Sequence, residues 1–290
     1  SEDAEITIEA NPGTVSQYDL IDLHHAGLNR ISIGVQSFND KKLKYLGRIH
    51  SADAAIKAVH SARRALFKNI NIDLIFGVPA ETRALWAADV ETAIELSPEH
   101  ISFYDLQVEE GTPVCEDIIN GSVEEVDEIE DRLMYHDAIK KLTKAGYVHY
   151  EISNAARPGR QSRHNLKYWG MLDYVGIGLG AHSYTAGRRF SNTEDLAVYL
   201  SANSSIEMTG ESYNNKRGDE ISEFIFLGLR RTAGISLAAF RERFGVEFDT
   251  LFADETRSLI ERKLLQRNGD ILKLTQLGLD LSNVVFVEYV

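Results

Sequence analysis

Four stretches in the first third of the chain, residues 6–9, 31–36, 70–76 and 101–106, alternate between apolar and polar side chains. A period of two predicts β-strands. One face collects Ile6/Ile8, Ile31/Ile33/Val35, Ile70/Ile72/Leu74/Phe76 and Ile101/Phe103. The other collects Thr7/Glu9, Ser32/Gly34/Gln36, Asn71/Asp73 and Ser102/Tyr104. Strands of a parallel sheet covered by helices on both sides are apolar on both faces. Here four strands turn carboxylates, amides and hydroxyls the same way, which predicts the wall of a polar binding cavity.

Between the strands the apolar period lengthens to that of helices, over residues 15–26, 51–67 (opened by Ser51 as a cap) and 82–96, stopping before Pro98. Strand–helix–strand repetition with crossovers of this length gives right-handed βαβ units in a parallel sheet. Four such units fill only half of an eightfold barrel, which takes ~250 residues. The expected fold is therefore α/β, a partial parallel barrel with an open edge or with strands that precede Ser1. A strand starting so soon after Ser1 reads as a chain cut from something longer.

An acidic stretch, 124–131, leads into a predicted helix over 129–145 that ends at Gly146, and a strand follows at 148–153. Residues 155–163 (AARPGRQSR) read as a basic exposed loop. Residues 201–216 are polar and weakly patterned, as a linker is. Beyond them come helices at 221–231, 237–244 and 250–265, a turn at Asn268-Gly269, and strands at 271–274 and 284–290. Three helices and a β-wing are winged-helix-like. The expected organisation is a partial barrel with an extension over 1–200, a linker over 201–216 and a small α+β domain over 217–290.

At 290 residues, 43 % hydrophobic and 26 % charged, the composition is that of an ordinary globular protein. A formal net charge of −13 argues against a nucleic-acid surface over the bulk of the chain. No signal-peptide pattern opens it and no apolar run approaches the ~20 residues of a membrane span. One cysteine, Cys115, permits no internal disulfide and suits a reducing cytoplasm. It also leaves the chain without the thiolates of a Cys-ligated cluster.

Glu9, Gln36 and Asp73 stand at or near strand ends, where barrel folds gather their sites, and Arg48 follows in the next loop. Carboxylates and an amide suit the hydroxyls of a ribose, and a guanidinium grips an amino-acid carboxylate with two hydrogen bonds. The competing reading is an internal Glu9–Arg48 ion pair under loops. In the block 164–184, the spacing Gly176-Ile-Gly178-Leu-Gly180 does not match a dinucleotide loop, and close backbone packing or contact with a flat ligand explains it better. His164, Tyr168, Trp169 and His182 together could hold a planar ligand by stacking and imidazole ligation, or could be a buried histidine in an aromatic core. The winged-helix-like end carries no basic stripe, so lid or docking duty fits it better than DNA binding.

The phrases EANPGT (9–14), RISIGVQSF (30–38), LGRIH (46–50), NIDLIFGVP (71–79) and HISFYDLQVEEGT (100–112) resemble the radical S-adenosylmethionine (SAM) family. The resemblance runs over nearly the whole chain, in the branch of oxygen-independent coproporphyrinogen III oxidases. YEISNAA, HNLKYW and GIGLGAHSY look like the HemW-type heme chaperones within that branch. It implies a partial radical SAM barrel with SAM across the strand ends and a [4Fe-4S] cluster at its mouth. It puts Glu9, Gln36, Arg48 and Asp73 at SAM-contacting positions and makes His164 the candidate for heme. It further implies heme and the apoproteins that receive it, some of them respiratory, as partners. The oxidative decarboxylation of coproporphyrinogen III is the rival reading. The family's CxxxCxxC loop is not in these residues, so the chain as it stands is expected to be inert in radical chemistry.

Overall fold

A computed structural model describes residues 3–202, 207 and 209–290. The chain divides into two units, Ser1–Ser162 and Arg163–Val290. The first contains, in order, β1 (Thr7–Ala10), α1 (Gln17–His25), β2 (Arg30–Gln36), α2 (Asp40–Tyr45), α3 (Ala52–Arg64), β3 (Ile70–Phe76), α4 (Arg83–Glu95), β4 (His100–Asp105), α5 (Pro113–Ile119), α6 (Glu128–Lys144), β5 (Val148–Glu151) and β6 (Asn154–Ala156). Its sheet runs β1-β2-β3-β4-β6-β5. The first four strands are parallel, as the crossovers require, and a β5–β6 hairpin adds antiparallel to β4.

Helix starts follow their caps: Ser16, with a capping box to Asp19, Ser51 and Thr82 each accept from the first helical turn. The apolar strand face lies under these helices. Ile31, Ile33, Val35, Ile70, Ile72, Leu74, Phe76, Ile101 and Phe103 pack with Leu20, Val59, Trp86, Val90, Met134 and Leu142. Burying a side chain of this size is worth about 1.5–3 kcal/mol, so this face fixes the register of the polar one.

Around β5 and β6 the structure departs from the sequence expectation. The strand read over 148–153 stops at Glu151: residues 152–153 turn, and β6 begins at Asn154. Ala155 and Ala156, read as loop, are fully buried in β6 beside β4.

The second unit contains α7 (Arg163–Trp169), β7 (His182–Thr185), β8 (Arg188–Asn192), α8 (Leu196–Ser201), β9 (Thr209–Asn214), α9 (Arg217–Leu229), β10 (Ile235–Ser236), α10 (Leu237–Phe244), α11 (Phe248–Glu261), β11 (Leu265–Asn268), β12 (Ile271–Leu274), α12 (Gln276–Asp280) and α13 (Ser282–Val287). Strands β7-β8-β9 form one antiparallel sheet and β10-β12-β11 another. Of the residues read as linker, 209–214 form β9 against β8, while 203–206 and 208 lie outside the described residues. Helices α9, α10 and α11 with the β11–β12 wing give the expected winged-helix-like core around Ile225, Phe240, Leu259 and Leu272.

The run 284–290 is not a strand: α13 is helical through Val287. Val285 and Tyr289, four residues apart, are both buried, whereas Val287 is 72 % exposed. Helical spacing of the buried pair overrides the strand preference of a β-branched run. The third helix ends at Glu261 rather than 265, because Lys263 takes a left-handed conformation and Leu265 opens the wing.

Candidate functional site

The centre of the polar strand face of the first unit is a single hydrogen-bonded system. Ser32 Oγ–H donates to Asp73 Oδ2 at 2.8 Å. Asn71 Nδ2 donates to Asp73 Oδ1 and to Ser32 Oγ, both at 2.7 Å. His100 Nδ1 meets Asn71 Oδ1 at 2.6 Å and its Nε2 meets Tyr150 Oη at 2.8 Å; the Ser162 amide donates to that hydroxyl at 3.3 Å. An amide oxygen only accepts, so His100 carries its proton on Nδ1 and takes one from Tyr150 at Nε2. Burial holds His100 well below the ordinary histidine range, with the Arg30 charge acting the same way. It stays neutral as the relay requires.

Asp73 closes this relay. Burial raises its carboxyl above the usual range, opposed by the hydrogen bonds from Ser32, Ser102 and Asn71, while the charge of Glu9 adds to the rise. Glu9 sits opposite Ser32 in the β1–β2 register and is exposed. Gln36 ends β2 after a register shift, buried and in a left-handed conformation at φ 65°. Its Nε2 lies over Gly34, where a β-carbon would meet it at 3.0 Å and Asn11 Oδ1 at 2.8 Å. Arg48 follows α2, and its backbone N–H donates to Leu43. The predicted four divide accordingly: Glu9 and Asp73 come together through Ser32, and Gln36 stands at the end of the same strand as Ser32. Arg48 shares no hydrogen bond with them, and the alternative Glu9–Arg48 ion pair is not formed.

Sequence reasoning did not single out His100, Tyr150 or Ser162. The first pairs with Asn71 across β3–β4, a register only the folded sheet reveals. A second buried network, also missed, fixes the turn after Gln36. Asp89 on α4 accepts from Ser37 Oγ at 2.6 Å and Phe38 N at 2.7 Å, and Lys42 Nζ bridges Asp89 and Glu81.

In the second unit His164 meets Tyr168 edge-on at 4.7 Å, and Tyr168 meets Tyr174 at 4.5 Å. Tyr174 lines a cavity of about 290 Å³ with His182, Phe190, Tyr213 and Phe226, where Arg189 is held by Glu223. His164 and His182 are exposed. Gly176 lets the 174–184 backbones close up: a β-carbon there would lie 2.3 Å from the His182 carbonyl oxygen. Close backbone packing therefore accounts for this glycine. Trp169 stands apart from the tyrosine stack, beneath Arg230.

Residues 1–93 match the radical SAM superfamily, and residues 216–281 match the HemN C-terminal domain. The chain is 36 % identical to the heme chaperone HemW of Lactococcus lactis over 285 residues, covering 98 % of this chain and 75 % of that protein. The HemW of Bacillus subtilis is also 36 % identical with the same coverage. The chain belongs to the HemW family. Its fold matches coproporphyrinogen III oxidase (HemN) from Escherichia coli, a radical SAM enzyme, with a TM-score of 0.84. The match covers 100 % of this chain and 70 % of that one at 21 % identity. The HemW relationship makes this a heme chaperone homologue with a radical SAM fold.

SAM and a [4Fe-4S] cluster belong to the superfamily. These 290 residues contain one cysteine, the half-buried Cys115, so they do not supply the thiolates of a cluster. Among the described residues no helix is long and apolar enough to cross a membrane.

Proposed function

We propose that this chain is the heme-handling and SAM-binding part of a cytoplasmic heme chaperone, taking heme on the second unit for transfer to apoproteins. One observation carries the reading. In a member of the HemW family, the imidazoles of His164 and His182 stand exposed, and Tyr168 and Tyr174 connect His164 to the aromatic cavity at His182. Exposed imidazoles can ligate iron, and flat aromatic walls accept a macrocycle's face. The glycine-spaced Val175, Ile177 and Leu179 expose apolar surface just before His182, as a carrier of an apolar cargo needs.

For SAM, Glu9 and Arg48 offer unpaired charge to the ribose hydroxyls and the carboxylate. Gln36 offers an amide held over Gly34, and Asp73, which accepts from Ser32, Asn71 and Ser102, keeps one lone pair open. The residues present suit SAM and do not suit the cluster, so no radical step is assigned to them.

The test is titration of the chain with hemin. A Soret shift that disappears in His164→Ala or His182→Ala supports the reading. An unshifted Soret band, or a shift untouched by both substitutions together, removes it.

A further inference from the structure

Where α7 packs against α9, two buried donors have nothing to donate to. Trp169 Nε1–H ends α7 and has no hydrogen-bond partner. Arg230 caps α9; its guanidinium carbon lies 4.5 Å from the centre of the Trp169 ring, and its Nε–H is likewise buried and unpartnered. Arg231, next in the chain, spends its Nε–H on a long 3.4 Å bond to the Gly228 carbonyl. Among the described residues neither arginine forms an ion pair. Burial lowers the Arg231 guanidinium below the ordinary arginine range, and no carboxylate offsets it.

A buried donor left without an acceptor costs about 1–3 kcal/mol, and more when charged. Natural structures leave few of them without a reason. Here an indole N–H, which can only donate, and a guanidinium fork, which fits a carboxylate with paired bonds, lie side by side. Tyr168, the neighbour of Trp169, belongs to the ring stack leading to the His182 cavity.

We propose that Trp169 Nε1–H and the Arg230 guanidinium form a carboxylate-binding subsite, with Arg231 beside it, that takes an acidic side arm of a tetrapyrrole. The assignment of the tetrapyrrole rests on the heme reading above; the carboxylate chemistry rests on the orphan donors alone. Trp169 thus recognises the charged rim of the ligand through its N–H.

The two parts are tested separately. The chain has two tryptophans, and Trp86 Nε1–H is already bonded to the Met134 carbonyl at 2.9 Å, so it serves as an internal reference. In a ¹⁵N-labelled chain, added acetate is expected to move the Trp169 indole signal downfield, leave Trp86 in place, and lose its effect in Arg230→Gln. No acetate-dependent shift, or an equal shift of both indoles, overturns the subsite whatever heme does.

The second arm compares hemin with hemin dimethyl ester, whose acids are masked. Trp169→Phe and Arg230→Gln are each expected to weaken hemin about tenfold, the loss of one charge-assisted hydrogen bond, and to leave the ester unchanged. Equal weakening of both ligands overturns the proposal. If neither ligand binds the unsubstituted chain, the heme reading fails and the acetate response alone decides the subsite.

Discussion

Two clusters of polar side chains, one in each unit, are treated in opposite ways. On the sheet of the first unit, Ser32, Asn71, Asp73, His100 and Tyr150 satisfy one another, each donor matched to an acceptor. Around α7 and the end of α9 in the second unit, Trp169 and Arg230 keep donors unmatched, and His164 and His182 face solvent. A closed polar network rigidifies and specifies a fold; an open one is available to a ligand. The polar wall that looks most like a binding site in the sequence is therefore, at its centre, internal scaffold. In the proposed reading SAM would meet the groups at its margin, Glu9, Gln36 and Arg48, together with Asp73, and the second unit would meet heme.

The most damaging way to break this contrast is at the closed end of the first unit. Asp89→Ala leaves Lys42 buried beside Glu81 alone and strips the acceptor from Ser37 and Phe38. Removing one partner of a buried charge pair costs about 3–5 kcal/mol. Urea unfolding followed through Trp86, in a Trp169→Phe background so that only the first unit reports, should show a drop of that size. A loss below 1 kcal/mol would mean the network is not closed as described.

A middle-sized effect is expected where the backbone of the second unit is tightest. Gly176→Ala sets a methyl against the His182 carbonyl and displaces the Gly176 N–H from Ser183 Oγ, 2.9 Å away. Overpacking of this kind costs about 1–3 kcal/mol. The unfolding midpoint read through Trp169 should fall while that read through Trp86 stays put, and hemin affinity should fall with His182 displaced. A normal hemin titration would take His182 out of the site.

Tyr150→Phe is the milder probe of the relay. It leaves His100 Nε2 without its donor and the Ser162 amide without its acceptor, at a cost of about 1–2 kcal/mol. The His100 Nε2 signal should shift in NMR as its hydrogen bond is lost, with the proton still on Nδ1; an unchanged spectrum would disconnect Tyr150 from the relay.

The legible part of this molecule is the part governed by period. Alternation at Ile31/Ile33/Val35 and Ile70/Ile72/Leu74 gave the strands and the buried face, and caps at Ser51 and Thr82 gave the helix starts. What alternation could not show is partner identity. Asn71 and Ser102 stand on the polar face in the sequence, but their joining to His100 and Tyr150 depends on strand register and on the β5–β6 hairpin. The run 284–290 misled because its β-branched residues favour a strand, whereas burial of Val285 and Tyr289 selects the helix. Orphan donors such as Trp169 Nε1 have no sequence signature, since being without a partner is a property of packing alone.

The smallest expected effect is a pH dependence, and it tests a third arrangement, a carboxyl pair that is neither closed nor free. Asp105 ends β4 and Asp131 lies on α6; both carboxylates crowd Gly77, which has no side chain to exclude them. Burial, and then the charge of Asp131, push the Asp105 carboxyl up to about 7, with Arg132 opposing. A carboxyl whose folded pKa lies above its unfolded value binds its proton more tightly in the folded state. Its contribution is fully present below the unfolded value of 3.8 and is lost as pH rises to about 7, after which it levels off. The first unit should therefore lose stability between about pH 4 and 7 relative to Asp131→Asn, in which Asp105 no longer faces a second charge. Asp105 is 40 % exposed, so solvent screens much of the repulsion and the effect stays small. Comparing unfolding midpoints of the two proteins across that window cancels the histidines and isolates the pair. Parallel curves would show that Asp105 and Asp131 do not share a proton, and the crowding at Gly77 would then carry no electrostatic consequence.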